Sequence, residues 1–355
     1  MISDMIKGQY GLFRSASNLR HLRQCRPYLE SGAYYYIKPG KAFLIRADFL
    51  QVCAGMLFTP ECAPSQRWII PVRNGKGIKG RFAGQCVLFT ANGECKIFDF
   101  RHAAVLSFIS QDSGMRTGQY EFFSAHFHTP FVKRKGNLLL ERCISHIPRK
   151  YWKEAEIKDN YDTVLNDLAR FYRASKAVYW GNPYKERNII LKTGNRELQA
   201  MFDDLAKRCF DLGKMPYIYL HGDIHFGNTL FDGKRLWYID YEYAREEVFF
   251  YDIFNPIFAE LSDYGSTVLL DVLMSGGGTS AGTIASCFER FQLRFCPEQT
   301  EKYMYMYLMC RLLLASKLAL KEKKRERIAK ESRAIVEYHR TFYEYIKNIS
   351  EKKVP

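Results

Sequence analysis

The most constraining segment of this chain is His221-Gly222-Asp223-Ile224-His225-Phe226-Gly227-Asn228, followed by Leu236-Trp237-Tyr238-Ile239-Asp240-Tyr241-Glu242. It occupies a β-rich island, residues 217–239, between two stretches of helical periodicity. Two short strands are expected on either side of Asp232-Gly233, a turn dipeptide. Asp223 and, five residues later, Asn228 put a carboxylate and an amide oxygen on one loop. Asp240, twelve residues beyond Asn228, ends an apolar strand and so has a rigid support. The plainer alternative is an Asp-rich turn followed by a strand end that faces solvent.

Phosphoryl transfer asks for these groups at this kind of spacing. A carboxylate orients an acceptor hydroxyl and takes its proton late, while hard oxygen ligands hold magnesium against the phosphates of ATP. The pattern H-G-D-x-x-x-x-N followed by I-D-x-E resembles the signature of the aminoglycoside phosphotransferase and choline kinase superfamily, distant relatives of protein kinases. The resemblance implies Asp223 as catalytic base, Asn228 and Asp240 as magnesium ligands, and His221 as the residue that braces the catalytic loop. It also implies that Asp252, in Phe250-Tyr251-Asp252-Ile253, starts the next helix and tethers that loop. His225 is expected to pack and hydrogen-bond within the loop. Phe226 departs from the family, which often has Pro there. Glu242 is an accessory residue that could reach metal through water, bind substrate or cap local backbone.

The fold implied is α+β: a bilobal, protein kinase-like arrangement with a small antiparallel N-lobe sheet and a larger, mostly helical C-lobe. The sequence divides accordingly into an N-terminal extension of unknown role (1–60), an N-lobe (61–143) and a C-lobe (144–355). Trp68–Val72, Gln85–Thr90 and Cys95–Phe100 read as strands, the last two turned at Asn92-Gly93. Phe131–Arg134 and Leu138–Cys143 form a second hairpin across Gly136-Asn137. Past residue 150, Tyr161, Val164, Leu165, Leu168 and Tyr172 recur at helical spacing, and Leu198–Leu212 repeats the pattern.

Gly75-Lys76-Gly77-Ile78-Lys79-Gly80 spells G-x-G-x-x-G. A dinucleotide-binding fold needs a helix directly after it, and a hairpin follows instead. Gly75, Gly77 and Gly80 then form either a turn that covers ATP phosphates or a plain hairpin turn. Lys96 stands on the next strand, where the superfamily keeps its phosphate-binding lysine. Glu121, the only glutamate between residues 100 and 140, is the expected partner of that lysine. Backbone groups near Glu141 and Cys143 are expected to meet adenine at the interlobe hinge.

A formal net charge of +15, from 53 Lys and Arg against 38 Asp and Glu, favours a polyanionic partner and disfavours a polycationic acceptor. The expected acceptor is therefore a small molecule or glycan hydroxyl, such as a sugar or a surface-polysaccharide or lipopolysaccharide precursor, and anionic in character. Choline, ethanolamine and aminoglycoside acceptors are the alternatives, and a nucleotide-binding pseudokinase is the alternative of another class. No nucleic-acid-binding pattern is present. His126-Phe127-His128 lacks a third ligand nearby, and no G-x-S-x-G occurs. Ten cysteines without a C-x-x-C pair, and an N-terminus without an apolar core, suggest a cytoplasmic protein. The mixed charge run at 321–330 reads as a solvated helical face, with peripheral contact at the inner face of a membrane as the alternative. The apolar stretch Tyr303–Leu320, interrupted by Arg311 and Lys317, reads as a buried amphipathic helix.

Overall fold

A computed structural model describes residues 25–37, 43–46, 48, 68–76, 82–89, 95–108, 113–275, 278–321 and 325–352. They fall into two compact units, one running to Phe122 with His128–Pro148 and Leu230–Trp237, the other made of Phe123–Phe127, Arg149–Thr229 and the chain from Tyr238 onward.

The first unit carries an eight-stranded antiparallel sheet. In chain order its strands are β1 (Glu30–Ile37), β2 (Phe43–Arg46), β3 (Trp68–Lys76), β4 (Cys86–Phe89), β5 (Cys95–Asp99), β6 (Ala104–Phe108), β7 (Val132–Lys135) and β8 (Leu138–Arg142). Their spatial order is β3-β1-β2-β4-β5-β6-β8-β7. Both expected hairpins are present, with Phe89 opposite Cys95 and Lys135 opposite Leu138. The second of them turns at Gly136, whose φ of 58° suits a residue without Cβ.

The first sixty residues are not merely an extension. β1 lies between β3 and β2, so this segment supplies two of the eight strands. Tyr34, from the run of three tyrosines, is fully buried with Cys25, Leu29, Phe82, Val87, Ile97 and Leu106, and its hydroxyl reaches Gly84 O at 2.8 Å. The run has too little alternation to announce a strand; Tyr34 pairs with Arg46 on β2 on one side and with the more distant Ile70 on β3 on the other. Gly75 is the last residue but one of β3, whereas Gly77 and Gly80 lie outside the described residues.

Burial alternates along β5. Cys95, Ile97 and Asp99 face inward, leaving Lys96 on the other face between Leu88 and Ser107 of the flanking strands. Helix α1 (Ser113–Ser124) follows β6.

The second unit is mainly helical: α2 (Glu154–Ala174), α3 (Arg187–Lys192), α4 (Arg196–Cys209), α5 (Tyr251–Tyr264), α6 (Val268–Met274), α7 (Gly278–Glu289), α8 (Thr300–Leu320) and α9 (Arg325–Lys352). The expected apolar stripe of α2 is buried from Ile157 to Tyr172, and α4 is capped by Asn195, whose side chain accepts Leu198 N–H at 3.0 Å. Helix α8 differs from the amphipathic expectation. Every residue from Tyr303 to Cys310 is buried, so this helix is encased by its neighbours rather than laid on one face. Among the described residues no single helix is long and apolar enough to cross a membrane.

A small antiparallel sheet in this unit positions the motif. Strand β10 (Met215–Leu220) is flanked by β9 (Tyr179–Gly181) and β13 (Arg245–Val248). The register sets Leu220 opposite Arg245 and Tyr217 opposite Val248. The loop that leaves β10 at His221 and the helix that follows β13 at Tyr251 are thereby tied together. Beneath them Phe249 is fully buried against Phe250, Phe288 and Phe291 at ring separations of 5.2, 4.7 and 4.9 Å. Replacing Phe249 by Ala should cost about 3–5 kcal/mol, read as a lowered urea midpoint at unchanged slope.

Candidate active site

The loop between β10 and β11 (Thr229–Phe231) is held through its backbone. Asp252, fully buried in the first turn of α5, accepts Gly222 N–H at 3.0 Å on Oδ2 and Ile224 N–H at 3.4 Å on Oδ1. Asn255, one turn later, donates to Ile224 O at 2.9 Å. Arg245 donates to Gly222 O and Tyr243 O, both at 2.9 Å. Buried peptide groups must find partners, and here three side chains supply them to a stretch that is neither helix nor strand. Gly222 has φ of 76°, and a Cβ there would meet Tyr243 O at 2.5 Å and Arg245 Nη1 at 2.6 Å. Only glycine fits both the conformation and the space. Burial, the largest influence, pushes the Asp252 carboxyl above its ordinary range despite nearby His221 and the Gly222 amide.

His221 braces the loop from below. Its buried ring lies 4.5 Å from that of Tyr241, and Nε2 is 3.0 Å from Ile239 O, immediately before Asp240. Burial lowers its pKa, against the pull of Asp252 and Asp223, so the ring is neutral and Nε2–H is the donor. Phe226 is buried with its ring 4.9 Å from that of Trp152, an aromatic anchor for the loop.

Asp223 stands at the opening of the loop. Its side chain keeps 28% of its exposure where Asp252 keeps none, so it is the carboxylate that a substrate can reach. Asn228 Nδ2 donates to Asp223 Oδ2 at 2.8 Å and to Asp223 O at 3.1 Å. His225 Nδ1 accepts Gly227 N–H at 3.0 Å, and its Nε2 lies 3.7 Å from Asp223 Oδ2. Burial would raise the Asp223 carboxyl, but the His225 imidazole beside it and the charge of Arg311 outweigh it and hold it below its ordinary value. The group is ionised near neutral pH, as a proton acceptor must be.

With both donor contacts of Asn228 spent on Asp223, its Oδ1 is the atom left for a cation. The hairpin of β11 and β12 (Leu236–Tyr238) brings a carboxylate to the same loop: Ile239 N–H donates to Asn228 O at 3.0 Å, and Asp240 follows directly. Asp240 is in the left-handed region with φ of 66°. A non-glycine residue there costs about 1–3 kcal/mol, a strain concentrated at functional sites. Two oxygen donors from an amide and a carboxylate suit a hard divalent cation that takes its remaining ligands from phosphate and water. Among the described residues no group of three or more His, Cys, Asp or Glu forms a metal cluster. Of the histidine pair, His126 packs on Phe171 at 5.1 Å and His128 lies near Trp237 at 6.2 Å.

The remaining expected residues are distributed as follows. Glu242 is half-buried on the turn Tyr241–Tyr243. Lys96 is on β5, and Glu121 is exposed on α1. The side chain of Glu141, on β8, accepts hydrogen bonds from Tyr120 Oη and, at 3.4 Å, from Ser107 Oγ. Cys143 N–H donates to Ala103 O at 2.8 Å, so a role for this residue at adenine falls to its carbonyl.

Sequence reasoning passed over Asn255, Arg245 and Arg311. Arg311 had a visible signal: a permanent charge within a run of buried apolar residues. Its Nη1 donates to Asn255 Oδ1 and, at 3.2 Å, to Tyr307 Oη, which connects α8 to the loop through Ile224.

No protein-family model and no curated protein matches the chain. Solved structures similar to it include a choline kinase from Streptococcus pneumoniae, at 14% identity and a TM-score of 0.44 over 70% of this chain and 90% of that one. An amicoumacin kinase in complex with AMP-PNP and Ca2+ aligns at 12% identity and a TM-score of 0.45, over 73% and 88% of the two chains. An aminoglycoside phosphotransferase from Streptomyces rimosus aligns at 12% and 0.40, over 63% and 90%. Likeness at this level decides neither the fold nor the chemistry. Both rest on the chain's own residues.

Replacing Asp252 by Ala would leave the Gly222 and Ile224 amides without acceptors at about 1–3 kcal/mol each. Hydrogen exchange of amides 222–228 should accelerate in this variant by at least tenfold, with helix α2 far less affected.

Proposed function

We propose that the protein is an ATP- and magnesium-dependent phosphotransferase that moves the γ-phosphoryl group to a hydroxyl of a small molecule. The observation that carries this reading is the ionised, reachable Asp223 held by Asn228 Nδ2, with Asp240 following directly on Ile239, whose N–H bonds Asn228 O. In the reaction the acceptor oxygen forms a bond to the γ-phosphorus while the bond to the β–γ bridging oxygen breaks, releasing ADP. The hydroxyl proton passes to an Asp223 carboxylate oxygen. Asn228 fixes the carboxylate's orientation, and His225 beside it supports the anionic form. Asn228 and Asp240 would hold magnesium, which when bound neutralises charge on the transferring phosphates. On the nucleotide side we assign Lys96 to the α- and β-phosphates with Glu121 as its orienting partner. Gly75, Gly77 and Gly80 would cover the phosphates, and backbone near Glu141 and Cys143 would meet adenine.

The acceptor we favour is a sugar or a surface-polysaccharide or lipopolysaccharide precursor. The basic net charge of +15 supports this choice over a polycationic aminoglycoside. Choline and aminoglycoside kinases among the similar structures keep amino-alcohol acceptors as the second reading.

Purified protein with radiolabelled ATP, magnesium and panels of sugars, lipid-linked glycans and amino alcohols tests the proposal. Asp223→Asn should lose about 10²–10⁴-fold in kcat, and Asp240→Ala should abolish magnesium-dependent turnover. Lys96→Ala should weaken use of ATP by orders of magnitude. Equal phosphoryl transfer by wild type and Asp223→Asn would remove Asp223 as the base.

A further inference from the structure

Next to Asp223, entirely within the helical unit, is a cavity of about 480 Å³ lined by Gly222, Asp223, Tyr251, Arg311, Tyr338 and His339 among others. Leu314, Leu318 and Ile335 add apolar lining, and Glu331 is its second acidic residue. The unusual member is Arg311. Its guanidinium lies flat on Phe258, 3.9 Å from the ring centroid, and no carboxylate forms an ion pair with it among the described residues. Its partners are all neutral. Asn255 Oδ1 and Tyr307 Oη take Nη1, and His339 Nε2 accepts from Nε at 3.4 Å. His339 is pushed down to about 3 by burial and by Arg311 itself, so it stays uncharged, with Nδ1–H given to Ile335 O at 2.7 Å. The hydrogen bonds of the guanidinium to described residues are made by Nε and Nη1.

A half-buried guanidinium that makes no direct ion pair, and acts on the Asp223 carboxylate only through space, is costly, and such charges are normally paired. If Arg311 served only to hold Asn255, a neutral donor would do so without that cost. A planar guanidinium fixed on an aromatic face in the lining of a cavity, with Nε and Nη1 spent on the scaffold, is suited to receive an oxyanion. A quaternary ammonium or polyamine would meet a like charge beside the carboxylate it must approach.

We propose that Arg311 binds an acidic group, carboxylate or phosphate, on the acceptor, and so places a neighbouring hydroxyl at Asp223. The word acceptor rests on the phosphotransferase reading; the anion site itself does not. The substrate class is then an acidic sugar or polyol, a sugar acid or a sugar phosphate, and Arg311 selects against choline-like and aminoglycoside-type cations.

Calorimetric titration of the nucleotide-free protein with glucuronate, inorganic phosphate, glucose and choline tests this. Glucuronate or phosphate should bind saturably, with glucose and choline at least tenfold weaker. Arg311→Met should weaken anion binding by about tenfold or more, the loss of a charged hydrogen bond, and Arg311→Lys should restore part of it. Should the variants fail to fold, crystals of the wild-type protein soaked in selenate give a second test, with an anomalous peak expected within hydrogen-bond distance of the Arg311 guanidinium. Choline binding as tight as glucuronate, wild-type anion affinity in Arg311→Met, or selenate absent from this cavity would each overturn the inference. The two proposals fail separately. Anion binding that depends on Arg311 in a protein without ATP turnover keeps the site and removes the kinase, whereas equal turnover of glucose and glucuronate keeps the kinase and removes the role of Arg311.

Discussion

The buried carboxylate of Asp252 receives two peptide N–H groups from a loop that has no secondary structure of its own, and much of the site depends on that contact. A segment such as 221–228 leaves several backbone donors and acceptors that sheets and helices would otherwise satisfy. Asp252 takes Gly222 and Ile224, Asn255 takes Ile224 O, and Arg245 takes Gly222 O. Each of these side chains is carried by α5 or β13, elements joined end to end. The register of β13 on β10 fixes the distance between them and the loop. Once the backbone is held, Asn228 can grip Asp223 and His225 can turn inward on Gly227.

The arrangement separates two carboxylates by environment. Asp252, without exposure, is spent on structure, while Asp223, partly exposed and flanked by His225 and Arg311, stays ionised and reachable. His221 shows the same division among histidines: burial keeps it neutral, so that it ties the loop to Ile239 instead of titrating. The left-handed Asp240 stores strain one residue beyond Ile239.

Arg311 extends this network outward. Through Asn255 it touches the loop, through Phe258 it rests on α5, and through His339 it meets α9. Helix α8 is therefore both a helix with a wholly buried stretch, Tyr303–Cys310, and the carrier of a charge that no direct ion pair neutralises among the described residues. A single residue in an otherwise apolar run connects the scaffold of the loop with the chemistry of the cavity beside it.

Much of the site could be read from the chain alone, because local spacing expresses local chemistry. Asp223 and Asn228 five residues apart, the strand ending at Ile239 and the turn at Asp232-Gly233 need no distant partner to be recognised. The same holds for the hairpins of β4 with β5 and β7 with β8, and for the stripe of α2. What depended on contacts far apart in sequence was decided only in three dimensions. The Tyr34 strand became part of a sheet because β3 and β2 flank it, and α8 lost its amphipathic face because neighbours cover it all round. Arg311 acquired its meaning from Asn255, Phe258 and His339, residues on two other helices whose approach no short-range pattern encodes.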